Sequence, residues 1–105
     1  MIHEIALFPV KAGQLDAFQR AFREVTHLLA RATGYHGHVL MQEVENPSHF
    51  NLIVRWQSLE DHQGFEASND HDVFMTGLQA HLAAEPSVHH VRILPSTDDI
   101  DILSA

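Results

Sequence analysis

The sequence contains no cysteine, which excludes disulfide bonds, thiolate nucleophiles and cysteine-ligated metal sites. It also lacks any apolar run near the ~20 residues that a membrane-spanning helix needs. Its N-terminus has no basic region followed by an apolar segment, as a secretory signal would have. These absences predict a cytoplasmic protein that has no membrane partner.

Basic side chains are scarce: the sequence has 6 Lys and Arg but 14 Asp and Glu, which gives a formal net charge of −8. A nucleic-acid partner needs a basic patch for the phosphate backbone, so this balance predicts no nucleic-acid partner. Glycine is also sparse, and neither a glycine-rich phosphate loop nor a dinucleotide-binding fingerprint is present.

The chain of 105 residues is long enough for one domain, and its apolar content of 45% is ordinary for a globular protein. We assign the domain to residues 1–95 and an acidic C-terminal tail to residues 96–105. The tail is either a frayed end or a segment that docks on a partner subunit through Ile100, Ile102 and Leu103. A domain of this size buries a modest core, so self-association is expected to add stability.

Apolar periodicity predicts the element order β-α-β-β-α-β. The predicted strands span residues 2–8, 35–44, 50–56 and 88–94, with a possible bulge at Gly37 in the second. The first helix is predicted over residues 14–32, with a stop at Thr33-Gly34. The second helical region begins at Ser58, is interrupted at residues 68–70 and continues through an apolar stripe, namely Val73, Phe74, Leu78 and Leu82.

The stretch of residues 50–82 carries the clearest local signals. On the third strand, one face is entirely apolar, with Phe50, Leu52, Val54 and Trp56, while the other face is mixed because it includes Ile53. Ser58 then has the spacing of a helix N-cap, with Asp61 near the positive end of the helix dipole. His62 and Phe65 follow three residues apart and therefore share one helix face.

Right-handed crossovers convert this order into an α+β, ferredoxin-like domain, with a four-stranded antiparallel sheet and both helices on one face. The other face would be left without a cover. It has apolar side chains available, namely Ile5, Leu7, Ile53, Val91 and Ile93. We therefore expect a second copy of the chain to cover it in a homodimer.

Ten histidines make a metal site conceivable. His36 and His38 would lie on one strand face, and His89 and His90 on opposite faces. No paired carboxylates or recognised ligand spacing accompany them, so the sequence predicts no metal site.

A longer motif resembles the antibiotic biosynthesis monooxygenase (ABM) domain family over roughly residues 2–94. It consists of an aromatic strand end, a capped helix and a later strand, and it reads Trp56-x-Ser58-x-x-x-His62-x-x-Phe65-x-x-Ser68 followed by Pro86-x-Val88-x-His90. The resemblance implies a dimeric α/β barrel. It also implies a cofactor-independent monooxygenase of a small aromatic, quinol or polyketide-like compound. Where the actinorhodin-type oxygenases carry Asn and Tyr, this chain has Leu52 and His62.

The implied chemistry needs an apolar pocket and a base that works near neutral pH, because a deprotonated phenol can itself supply electrons to oxygen. Histidine suits the base role, since its unperturbed pKa is about 6.5. We predict His62 and His90 as the catalytic residues. The predicted substrate-binding residues are Trp56, Phe65, Phe74, Leu78 and Leu52.

Two alternatives stay open at this stage. His62 and His90 could pair with each other or with the backbone and only support the fold. The protein could also be a non-catalytic dimeric module that binds a small apolar or aromatic ligand. A haem or metal protein ranks below both.

Overall fold

The computed structural model describes residues 1–95, which form a four-stranded antiparallel sheet with helices on one face. The elements are β1 (Ile2–Pro9), α1 (Leu15–Ala30), β2 (Tyr35–Gln42), β3 (His49–Trp56), α2 (Leu59–Glu66), α3 (Asn69–Gln79) and β4 (Ser87–Val91). The strand order β2-β3-β1-β4 confirms the predicted ferredoxin-like class. The tail predicted for residues 96–105 lies outside the described residues.

Register in the sheet determines which side chains meet under the helices. On β1, Glu4 lies opposite Val54 of β3 on one side and opposite His90 of β4 on the other. Two residues further along β1, Ala6 lies opposite Leu52 of β3. Because side chains alternate along a strand, all of these positions lie on the helix-covered face.

The first helix forms because its apolar residues recur at helical spacing, and Phe18, Phe22 and Leu29 are buried against the sheet. It ends before Gly34, whose φ of +82° is a conformation that glycine adopts without strain. The helix is slightly shorter than the predicted 14–32, and its stop at Gly34 is confirmed.

The second helical region breaks where the sequence predicts. The Ser58 hydroxyl accepts a hydrogen bond from Asp61 N at 3.2 Å, and Ser68 caps α3 in the same way through His71 N at 3.2 Å. The prediction of the apolar stripe on this region is wrong for its first and last residues, Val73 and Leu82. Val73 is 47% exposed, because it is one residue away from the buried Phe74 on a helix. Leu82 lies beyond α3 and forms a strand-like bridge with Val10 instead.

Two strands are shorter than predicted. β4 ends at Val91 rather than at residue 94, because its neighbour β1 begins at Ile2 and offers little further backbone to pair with. β2 ends at Gln42 rather than at residue 44, and its register shifts between Tyr35 and His38, which confirms the bulge at Gly37.

The second face of the sheet has no helix over it within residues 1–95. Ile5, Leu7, Ile53 and Val91 lie on this open face, as predicted, but Ile93 falls beyond the end of β4. No helix in the described part of the chain is long and apolar enough to cross a membrane.

Candidate active site

Glu4 is a carboxylate on the buried face of the central strand β1. Glu4 is only 7% exposed, and its side chain lies beneath α2. The Trp56 indole Nε1–H donates a hydrogen bond to Glu4 Oε1 at 2.9 Å. Within the described residues, Glu4 Oε2 has no such partner.

His62 lies in the first turns of α2, where the Ser58 cap fixes the start of the helix. Its ring stacks on Trp56, with centroids 5.1 Å apart and planes inclined by 20°. Its Nε2 lies 3.1 Å from Glu4 Oε1, and its Nδ1 lies 2.7 Å from His90 Nε2. We refer to these three side chains as the Glu4–His62–His90 chain. It runs from a buried carboxylate to an exposed imidazole on β4.

Burial shifts the proton affinities of the two inner members in opposite directions. Loss of hydration raises the pKa of Glu4 from its usual 4.5 to about 7, against the lowering effect of the Trp56 hydrogen bond and with help from the negative Glu66. Burial lowers the pKa of His62, although Glu66 acts in the opposite direction. Close to pH 7, a Glu4 that is protonated about half of the time and a neutral His62 therefore coexist.

A cavity of about 200 Å³ opens beside this pair. Its inner wall is mostly apolar and buried. It is formed by Ala6, Phe8, Leu29, Leu52, Phe65 and Phe74 together with Glu4 and His62. An apolar chamber with a few convergent polar groups is the usual form of a small-molecule site.

The mouth of the cavity lies between α2, α3 and the start of β4 with the segment before it. It is lined by Glu66, His71, Met75, Glu85, Pro86 and Val88. A wider groove of about 660 Å³ continues outside the cavity. It shares His71, Met75, Glu85 and Pro86 with the mouth. A substituent on a bound ring therefore has a path from the cavity to the surface.

The structure brings most of the predicted site residues together. His62, Leu52, Phe65 and Phe74 line the cavity. His90 does not line it but contacts His62.

Two of the predicted substrate-binding residues lie outside the lining. Trp56 and Leu78 are both 0% exposed. They pack beneath the site and do not line the cavity. Trp56 positions Glu4 by its hydrogen bond and His62 by stacking.

The sequence profile of the antibiotic biosynthesis monooxygenase family matches residues 1–77. The chain belongs to this ABM family. The family includes monooxygenases, and the resemblance seen in the Trp56 motif is thereby confirmed.

Two known proteins are similar to this chain over most of its length. The uncharacterized protein YczJ of Bacillus subtilis is 31% identical over 93 residues, which is 88% of this chain and 98% of YczJ. A provisionally named antibiotic biosynthesis monooxygenase from Bordetella bronchiseptica superposes with a TM-score of 0.86. It is 30% identical, over 89% of this chain and 96% of that chain.

SnoaB, a cofactor-independent oxygenase from Streptomyces nogalater, is similar in fold only. It has a TM-score of 0.74 and 20% identity, over 91% of this chain and 97% of that chain.

Glu4 is the site residue that the sequence interpretation of this ABM protein misses. Its signal is a carboxylate at a helix-facing position of β1, between Ile2 and Ala6. A charged side chain on an otherwise apolar strand face is rarely buried unless it has a partner or a function. Within residues 1–95, no group of three or more His, Asp or Glu side chains is arranged to hold a metal ion.

Proposed function

We propose that this ABM protein is a cofactor-independent monooxygenase that oxidises a small phenol or hydroquinone inside the cavity. The observation that carries the proposal is the pairing of Glu4 with His62 at 3.1 Å on the wall of an otherwise apolar chamber. Two titratable groups with opposite pKa shifts are typical of acid–base sites.

The reaction needs no electron carrier, because the substrate supplies every electron. A hydroquinone and one O2 give a hydroxyquinone and one water, so one oxygen atom enters the ring and the other is fully reduced. Removal of a hydroxyl proton makes the ring electron-rich enough to reduce oxygen. His62 and His90 provide the acid–base chemistry for this step, and the apolar wall keeps water from the reacting ring.

The cavity volume limits the size of the ring system. Drug-sized ligands occupy pockets of about 300–1,000 Å³, while an apolar cavity of roughly 150 Å³ holds benzene. The cavity here has about 200 Å³. A substrate of one or two fused rings fits this volume, with any longer substituent in the outer groove.

Oxygen uptake tests the proposal. The purified protein is incubated with a panel of hydroquinones and naphthalenediols in an oxygen electrode, and products are identified by mass. We expect uptake with at least one compound and its loss in His62→Ala and His90→Ala. His27→Ala is the matched control, since His27 is an exposed histidine on α1 that does not line the cavity. Unchanged turnover in both site variants would remove the histidines from the mechanism.

A second function is favoured by one feature of the site. Both ring nitrogens of His62 already face partners, Glu4 and His90, as in a pair that only supports the fold. The protein would then be a binding module for a small aromatic ligand. Thermal stabilisation by a phenol, with no oxygen uptake from any compound of the panel, would favour this alternative.

We also propose a homodimer that forms through the open face of the sheet. Ile5, Leu7 and Val91 give this face an apolar character, and Met41, on the same face beyond β3, is 42% exposed. Large apolar patches on a protein surface usually mark interaction sites. Sedimentation should show a dimer that Ile5→Glu dissociates, and a wild-type protein that sediments as a single chain would contradict the proposal.

A further inference from the structure

The Glu4–His62–His90 chain connects the cavity to the protein surface. Glu4 of β1 and His62 of α2 line the cavity, and His90 is on the exposed strand β4. His62 Nδ1 and His90 Nε2 are hydrogen-bonded at 2.7 Å, whereas Glu4 Oε1 and His62 Nε2 are in contact at 3.1 Å, a distance at which a proton can pass between them. A carboxylate and two imidazoles in series are groups that can both take up and release a proton.

We infer that Glu4 takes the hydroxyl proton of the bound substrate and that the proton leaves the cavity through His62 to His90. This inference rests on the proposed function and adds to it a catalytic residue, Glu4, and a direction of proton flow. His62 and His90 are positioning residues in this account, because they act on the substrate through Glu4.

The atoms available at each member favour Glu4 as the group that meets the substrate. Both nitrogens of His62 face a partner, so the ring has no free nitrogen for a hydroxyl group. Glu4 Oε1 faces Trp56 Nε1 and His62 Nε2, while Oε2 has no hydrogen-bond partner within the described residues. The substrate hydroxyl therefore meets Oε2 more readily than it meets either imidazole.

Proton transfer along the chain balances without any other reactant. In the protonated state, Glu4 donates to His62 Nε2, and His62 Nδ1–H donates to His90 Nε2. As the proton moves on, His62 gains a proton at Nε2 and loses one at Nδ1, which leaves Glu4 ionised and His90 positively charged. His90 is exposed, so it exchanges this proton with water. The return of a proton along the same path supplies the water formed from O2 and restores the starting tautomers of both histidines.

Charged neighbours from each packed element influence these steps. Glu66 of α2 lies 4.0 Å from His62 Nε2 and favours a proton on that ring, whereas His71 of α3 disfavours one. Glu85, before β4, lines the same mouth. With a pKa of about 7, Glu4 is both a usable acceptor and a usable donor near neutral pH.

A spectroscopic test needs no turnover. Carbon-13 and nitrogen-15 NMR between pH 5 and pH 9 should show the Glu4 carboxyl and the His62 ring changing together, with His62 passing from the Nδ1–H to the Nε2–H tautomer as pH rises. In Glu4→Gln the tautomer should stay constant, because the amide cannot ionise. A His62 ring that keeps one tautomer in the wild type would overturn the inference.

Ligand binding tests the contact with the hydroxyl group. We expect 4-fluorophenol to bind about tenfold more tightly once Glu4 is ionised, since a charged acceptor strengthens a hydrogen bond. The methyl ether 4-fluoroanisole, which has no donor, should show no such change, and neither should either ligand in Glu4→Gln. Equal pH dependence for the phenol and its ether would overturn the role of Glu4.

Turnover tests the direction of flow. Glu4→Gln should lower kcat about a hundredfold or more, the usual contribution of a general base. His90→Asn should lower kcat and be rescued by free imidazole, which a purely structural role would not allow, and His27→Asn should change nothing. If a quinol is oxidised equally well by Glu4→Gln, the inference fails and the proposed reaction stands. If no quinol is oxidised but the tautomer change occurs, the proton chain stands and the proposed reaction fails.

Discussion

Beneath α1, phenylalanine rings fill the space against the sheet, whereas beneath α2 and α3 a cavity and two titratable side chains occupy the corresponding layer. In the first region, Phe18 lies 4.9 Å from Phe50 and 6.4 Å from Phe22 between ring centroids. In the second, Glu4 and His62 border an opening of about 200 Å³. We name these regions the α1 half and the cavity half.

The difference separates stability from chemistry within one small domain. The α1 half buries large apolar rings and contributes folding free energy through their removal from water. The cavity half leaves an open volume in place of packed side chains, and it buries the Glu4 carboxylate where ionisation is disfavoured. Mutations in the two halves should therefore affect different measurements, and the following predictions test that separation.

The largest effect on stability should come from the α1 half. Phe18 is 0% exposed, and Phe18→Ala should lower the free energy of unfolding by about 3–5 kcal/mol, as expected for a buried phenylalanine. Urea denaturation measures the change. Phe74→Ala is the comparison and should cost less, since Phe74 lines the cavity whereas Phe18 does not. An equal loss in both variants would contradict the proposed difference in packing.

The next effect should appear as a dependence of stability on pH. The pKa of Glu4 is raised from 4.5 to about 7, so between these values the folded state binds a proton that the unfolded state does not. The stability that the folded state gains from this proton is fully present below pH 4.5 and is lost as pH rises through 7. It amounts to about 3 kcal/mol at most, from the linkage relation.

His62 has the opposite effect on stability, because its lowered pKa weakens folding as pH falls below 6.5. Comparing Glu4→Gln with the wild type separates the effect of Glu4 from that of His62. Relative to the wild type, the variant should be more stable at pH 8 than at pH 5. Thermal denaturation at the two pH values measures the difference. A constant difference between the two proteins would show that the Glu4 pKa is not raised.

A smaller effect on stability should distinguish the open cavity from the packed core. Ala6 lines the cavity and Val54 packs in the core without lining it. Ala6→Leu should fill the cavity, change stability by less than about 1 kcal/mol and abolish phenol binding. Val54→Leu should cost about 1–3 kcal/mol, because extra atoms strain a packed site. Calorimetric titration with a phenol and urea denaturation provide the two measurements. Phenol binding by Ala6→Leu would place the ligand elsewhere.

Local patterns in the sequence predict most of the fold and part of the site. Alternation in β3 and the spacing of α1 are properties of neighbouring residues, so both elements were identified correctly. The burial of Glu4 instead depends on Trp56, which is 52 residues away in sequence. The end of β4 depends likewise on where β1 begins. Strand pairing and cavity shape arise from such distant contacts, which periodicity in a single sequence does not report.

The smallest effects should come from the helix caps, which also differ between the halves. α2 and α3 each begin with a serine hydroxyl bonded to the backbone, whereas Gln14 at the start of α1 makes no side-chain cap bond. Ser68→Ala should cost about 1 kcal/mol of unfolding free energy. Ser58→Ala should cost about the same and also loosen His62, which lies one turn further along α2. Of the two variants, Ser58→Ala alone should therefore alter the tautomer change of His62 in the nitrogen-15 spectrum. The same spectral change in Ser68→Ala would show that the position of His62 does not depend on the cap of its own helix.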